Sequence, residues 1–367
     1  MTMRFVSKRN PGRLCPFCLL TGLVLLISSL SVNAQSAPDT AKEAKPEKLF
    51  SSTATLDVTL SLPWRDIVKD KSNQDPYPAT IEFTDSLGRQ QSLPLTVERR
   101  GLTRQTVCTY PPIKLKFEKE TVKGTTFRGE KSIKMVTHCD KGDRWEQYYI
   151  KEMLAYLMYN LITERSFRVR PLSIKYVDSD TGKREPPRFA FLIEDIDDVA
   201  KRNDLEKLDI EEINPAQLER MDASRFALFQ YMIANVDWSA LSGPDPGKCC
   251  HNAKLIGLQP SRDVYAVPYD FDSSGMVDAH YAAPNEKLPI KRVTQRLYRG
   301  FCMHNDTLEA AKQQFLSQEQ AIYGIVNGES LLKSRSNKNL LKFLGEFFET
   351  LRDPGEFQSQ IIAKCRK

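Results

Sequence analysis

Strand-type alternation clusters before residue 195 of this 367-residue chain, and helical patterning dominates after residue 200. That segregation, more than any single motif, limits the folds open to it. "ATLDVTLSL" alternates as a strand, and "ATIEFTDSLGRQQSLPLTVERRG" reads as a hairpin turning at "DSLGR". "PIKLKFE" sends Ile113, Leu115 and Phe117 to one side and Lys114 and Lys116 to the other. "KSIKMVTHC", "FRVRPLSIKYVD" and "RFAFLIED" add three more strands. One helix interrupts them, "DRWEQYYIKEMLAYLMYNLITE", with Asp143 as its expected N-cap. Its stripe of Trp145, Tyr148, Tyr149, Ala155, Tyr156 and Tyr159 encloses Glu152, a carboxylate whose burial needs a partner.

Beyond residue 200, "NPAQLERMDASRFALFQYMIANV" predicts a helix with Asn214 as N-cap and Pro215 at its first position. It ends in "NVDWS". A Gly/Pro-rich loop, "SGPDPGKCC", precedes two apolar runs, "AKLIGL" and "DVYAVPY", which read as a hairpin leading into Asp270. From about residue 304 the chain is mainly helical, and the whole is α+β.

The first residues carry an export signal. Arg4, Lys8, Arg9 and Arg13 precede the apolar "LLTGLVLLISSL", and "SVNA" places small residues for cleavage after Ala34. An uncleaved anchor is the alternative. Residues 1–34 are therefore read as signal peptide, 35–50 as a flexible linker, 51–196 as a β-rich lobe and 197–367 as a helical lobe. Cleavage takes the formal net charge from +6 to +2, which gives no reason to expect a nucleic-acid partner. No later segment is apolar enough for a membrane span, so the mature chain is expected to be periplasmic or secreted. Six cysteines remain, without repeated C-x-x-C pairs, and disulfides are expected rather than zinc. The expected pairs are Cys108–Cys139, and one of Cys249 or Cys250 with Cys302.

The candidate chemistry lies at the ends of these elements. Lys134 sits on "SIKMV", with Lys114 and Lys116 as competitors, and Glu152 follows eighteen positions later, with Glu146 as the alternative. Asp237 ends the long helix, Asn252 opens the hairpin, and Asp270 closes it, with Asp272 two positions on. The order matches a protein-kinase-like two-lobe fold, a β-rich N-lobe with one helix and a mainly helical C-lobe. On that match Asp270, Asn252 and, as a further ligand, Asp272 hold Mg²⁺ (or Mn²⁺) on ATP. Asp237 accepts a hydroxyl proton, Lys134 holds phosphates, and Glu152 holds Lys134. The acceptor is expected to be a protein. His138, His251, His280 and His304 are scattered and read as structural.

More narrowly, "ERRGLTRQTVCTYPPIKLKF" and "YDFD" resemble the Arg-Gly segment and the Asp-aromatic-Asp run of the CotH-like atypical protein kinases. The resemblance covers roughly residues 95 to 280 and implies phosphoryl transfer. "KMVTHC", "SFRVRPLSIKYVD", "NVDWS" and "VPYDFDSSG" also look like a group of uncharacterised exported bacterial proteins, which implies no activity. The chain departs from the kinase pattern at several places. Asp237 and Asn252 are fifteen positions apart, where conventional kinases have about five. Gly101 is a lone glycine in place of a G-x-G-x-x-G loop, and "DFD" stands for "DFG". An exported protein also meets little ATP. Two other readings follow: a disulfide-braced pseudokinase acting in envelope assembly, and a glycosyltransferase using "DFD" as a D-x-D metal motif.

Overall fold

The computed structural model describes residues 44–69, 75–101, 103–140, 142–244 and 247–367. The expected signal peptide and most of the linker lie outside the described residues.

Seven strands close into a barrel: β1 (Leu56–Leu62), β2 (Tyr77–Thr84), β3 (Gln90–Arg99), β4 (Ile113–Lys116), β5 (Ser132–Val136), β6 (Val169–Asp178) and β7 (Arg188–Ile193). They run around it in the order β1-β2-β3-β4-β5-β7-β6. All neighbours pair antiparallel except β1 and β6, which pair in parallel from Leu56↔Leu172 to Leu62↔Asp178. That parallel seam closes the cylinder. It overturns the expected kinase-like two-lobe fold, because a closed seven-stranded mixed barrel is not a kinase lobe. The α+β class stands. Alternation shows which residues share a face of a sheet, but not whether the sheet curls until its edges meet.

Alternation then sets two cores back to back. Ile133 and Met135 of β5, and Ala190 and Leu192 of β7, point into the barrel. Val136, Phe189, Phe191 and Ile193 point outward into a second core with the helices. A strand buried on both faces carries a continuous apolar run, and "RFAFLI" is one. Each fully buried side chain of this kind stabilises the fold by about 1.5–3 kcal/mol.

Two short helices, α1 (Trp64–Lys69) and α2 (Thr103–Val107), lie between strands, and the second core gathers α3 (Asp143–Asn160), α4 (Ile196–Arg202), α5 (Arg220–Met232), α6 (Asn305–Gly328) and α7 (Ser334–Arg352). Gly142, rather than Asp143, is the N-cap position of α3. Asn214 does cap, but it caps the short turn Pro215–Gln217, and α5 begins later under Glu219, whose side chain accepts from the Met221 and Asp222 amides. A small sheet of β8 (Glu206–Lys207), β9 (Ala253–Gly257) and β10 (Tyr265–Pro268) stands beside α5.

Cys108–Cys139 is present as expected, whereas Cys302 pairs with Cys365 and not with Cys249 or Cys250, which are joined to each other. Cys302 begins a short turn ahead of α6, and the parallel bridge Phe301↔Arg366 sets it against the C-terminal segment. Among the described residues no helix is long and apolar enough to cross a membrane. The disulfides are compatible with a location outside the cytoplasm.

Candidate functional site

Three backbone segments run abreast at one end of the small sheet. Ser239 and His251 exchange amide–carbonyl hydrogen bonds at 2.9 and 3.0 Å, and the Tyr269 amide donates to the Asn252 carbonyl at 3.1 Å. Asp237, Asn252 and Asp270 are thereby neighbours although 33 positions separate the first from the last. Asn252 and Asp270 both have left-handed backbones, φ 50° and 63°, which Asn and Asp tolerate better than most residues.

Asp237 is held from several sides. Its amide donates to the Asn235 side chain at 3.0 Å. The Asn252 side-chain amide donates to its carbonyl at 2.8 Å and to Oδ2 at 3.1 Å, and Oδ1 meets His251 Nε2 at 2.7 Å. The hydrogen bond to Asp237 raises the His251 pKa above its ordinary value against the cost of burial. His251, read in the sequence as structural, is thus a direct partner of Asp237. Its place directly before Asn252 was the signal for that.

Asp270 lies where the hairpin meets the barrel wall. Its amide donates to Tyr156 Oη of α3 at 2.9 Å. Phe271 packs behind it against Tyr156 and Phe229, with ring centroids 4.6 and 5.4 Å away. Among the described residues nothing donates a hydrogen bond to its carboxylate. Burial raises its pKa, and the Asp272 charge adds to this, while Arg104, Arg100 and Lys134 oppose it.

Lys134 leaves the barrel on the outward face of β5, and its Nζ stands 4.6 Å from the centre of the Tyr269 ring. Burial lowers its pKa to about 8, with Arg100 and Lys254 adding repulsion. Of its competitors, Lys116 pairs with Glu98, and Lys114 sits opposite Lys134 on β4.

Glu152 does not hold Lys134. It accepts from Arg104 Nη2 at 2.5 Å, and Arg104 Nε lies 3.0 Å from Asp272 Oδ2. Tyr281 Oη donates to the same Asp272 oxygen at 3.0 Å. Asp272 is thus engaged by a cation and a phenol, which makes it a poor metal ligand. Burial outweighs Arg104 and raises the Glu152 pKa to about 7, and Glu152 Oε1 finds no partner among the described residues. Glu146 lies elsewhere, 3.8 Å from Arg188.

Arg104 was missed in the sequence. It sits on the one-turn helix α2 (Thr103–Val107), just before Cys108, whose disulfide to Cys139 ties that segment to the end of β5. Three arginines within six residues, Arg99, Arg100 and Arg104, were the available signal. Gly101 sits between them at φ 85°, a left-handed turn that glycine makes at least cost.

No family model and no curated protein matches this chain. The site is therefore judged on its own chemistry.

Among the described residues no group of three or more His, Cys, Asp and Glu side chains is arranged to hold a metal. The Asp270 carboxylate and the Asn252 side-chain oxygen are both left without hydrogen bonds among the described residues. They fit a hard cation that keeps waters and takes its other oxygens from phosphate. Two concavities of about 370 and 380 Å³ lie on the barrel, lined by residues such as Thr59 and Lys175, and Trp64 and Tyr176, away from this cluster.

Proposed function

We propose that this exported chain transfers a phosphoryl group from a Mg²⁺–nucleotide to a hydroxyl, on a protein acceptor, in the periplasm or beyond it. The observation that carries the reading is the run of contacts that joins Asp237 to Asn252, Asn252 to the backbone just before Asp270, and Lys134 to the charge of Asp270, with the Asp270 carboxylate and the Asn252 side-chain oxygen left without hydrogen bonds among the described residues. This reading rests on the site and the resemblance noted in the sequence, not on a kinase fold.

Asp270 and Asn252 would hold the metal, which supplies charge neutralisation of the phosphate oxygens when bound. Lys134 lies where it can hold a phosphate. Asp237, half exposed and oriented by His251 and Asn252, accepts the proton as the hydroxyl oxygen bonds to phosphorus and the bond to the nucleoside diphosphate breaks. Arg104, clamped between Glu152 and Asp272, fixes the wall behind Asp270.

One observation favours a second reading. Among the described residues no carboxylate grips Lys134, since Glu152 is spent on Arg104. A chain that binds nucleotide without turnover, a pseudokinase-like envelope module in function, fits that arrangement.

Transfer of labelled γ-phosphate to a protein mixture separates the two. The mature chain should label an acceptor, Asp237→Asn should lose about 10²-fold or more in rate while still binding Mg²⁺–ATP, and Asp270→Asn should lose both. Binding without transfer by the wild type would establish the second reading. Neither binding nor transfer would remove both.

A further inference from the structure

We infer that Arg100, Lys134 and Lys254, grouped beside the Tyr269 ring, form an oligophosphate site that holds its anion without a metal. The inference rests on the phosphoryl-transfer reading for its place next to Asp270, and it adds two residues and a metal-free binding mode to that reading.

The three cations come from three separate strands or strand ends. Lys134 Nζ and Lys254 Nζ stand 4.6 and 5.6 Å from the centre of the Tyr269 ring. Arg100 follows β3 and donates from Nε to the Ile113 carbonyl at 3.3 Å. Ile113 pairs with Met135, the residue after Lys134, so the guanidinium is delivered to the same end of the barrel wall. Like charges brought together this way repel, and the fold holds them there.

Among the described residues none of the three makes an ion pair with a carboxylate. Arg104, four positions on from Arg100, makes two. Of the other acids facing the group, Asp195 accepts the Asp197 amide at 3.0 Å and keeps its charge, Asp209 holds Lys207 at 2.8 Å, and Glu152, which faces Arg100, is bonded to Arg104. Lys248 adds further positive charge near Lys254. Among the described residues Asp270 alone faces both Arg100 and Lys134 with an uncommitted carboxylate. The aromatic face of Tyr269 steadies the two ammonium groups without neutralising them.

An anion with charge spread along a chain fits such a set better than a single carboxylate. Arginine supplies a planar fork for one phosphate, and the lysines act as point charges for its neighbours. Bound metal-free, the anion faces Asp270 as a like charge.

Calorimetric titration of the mature chain with inorganic tripolyphosphate, in EDTA at low salt, tests this. Wild type should bind. Lys254→Gln and Arg100→Gln should each weaken binding about tenfold. Lys175→Gln, a charge removed from the far flank of the barrel, should leave it unchanged. Asp270→Asn should tighten metal-free binding while abolishing the Mg²⁺-dependent response to ATP. Absence of binding in EDTA would overturn the inference, as would wild-type affinity in both Lys254→Gln and Arg100→Gln, or equal weakening by Lys175→Gln. Tighter tripolyphosphate binding in Asp270→Asn, with no transfer from Mg²⁺–ATP by the wild type, would keep the anion site and reject the phosphoryl-transfer reading.

Discussion

Strand β5 borders two regions built on opposite rules. Ile133 and Met135 face the barrel interior, where Phe127 packs between Phe83 and Phe117 and the lining is apolar. Lys134, between them in sequence, faces Arg100, Asp270 and Lys254. The first region removes apolar surface from water, which stabilises. The second withdraws charges from water and leaves some of their atoms without partners, which costs stability. A chain that keeps the second arrangement beside the first has a use for it other than folding.

The largest expected effect is in the barrel. Phe127→Ala should cost about 3–5 kcal/mol in chemical denaturation. A loss below about 1 kcal/mol would mean that the interior is not packed as described. Next, replacing both Cys108 and Cys139 by Ala should cost about 3–4 kcal/mol by the loop-entropy estimate. It should also loosen the segment that carries Arg104, so Mg²⁺–ATP affinity should fall with stability, and unchanged affinity would uncouple the disulfide from the site.

Across the wall the sign reverses. Asp270→Asn should not lower the melting temperature of the ligand-free chain at pH 7 and should raise it, because burial disfavours the charged form. A clear drop would show that Asp270 is a structural ion-pair partner.

Two pH effects are smaller. The folded-state pKa of Glu152 is raised to about 7 from an ordinary 4.5. Its contribution is therefore fully present below pH 4.5 and is lost as pH rises through about 7. Glu152→Gln should flatten the decline of stability across that window, and an unchanged slope would contradict the burial assigned to it. His251 also has a raised pKa, so the stability from its pairing with Asp237 is present below its ordinary value of 6.5 and fades as pH climbs past the raised one. His251→Gln should remove only that shallow slope, since the pair is partly exposed. A variant melting curve that keeps the slope would detach His251 from Asp237.

The strands themselves were legible, because an alternating run such as Ile113–Lys116 states which side is buried. Barrel closure was not, since it depends on Leu56 meeting Leu172, a contact between distant segments that leaves no mark in either one. In the same way, hairpin order brought Asp237, Asn252 and Asp270 together on paper. The partner of Glu152 was hidden, because it depends on how three nearby arginines divide. Arg99 turns inward to the Ile67 carbonyl at 2.7 Å, Arg100 faces Asp270, and Arg104 reaches Glu152. Alternation with Leu93, Leu95 and Val97 sends Arg99 inward, but sequence spacing offers no way to assign Arg100 and Arg104 beyond the strand end. The Cys302 partner was missed for a similar reason, since it waited on where the last helix returns the C-terminus.

The central claim is that Asp270 and Asn252 hold a cation that a nucleotide brings with it. Water-proton relaxation by Mn²⁺–ATP reads this directly, because immobilising the ion on a protein enhances the relaxation rate. The account predicts enhancement with the mature wild-type chain and its loss in Asp270→Asn, with Asn252→Ala weakened. Equal enhancement in wild type and Asp270→Asn, or none with the wild type, would contradict it.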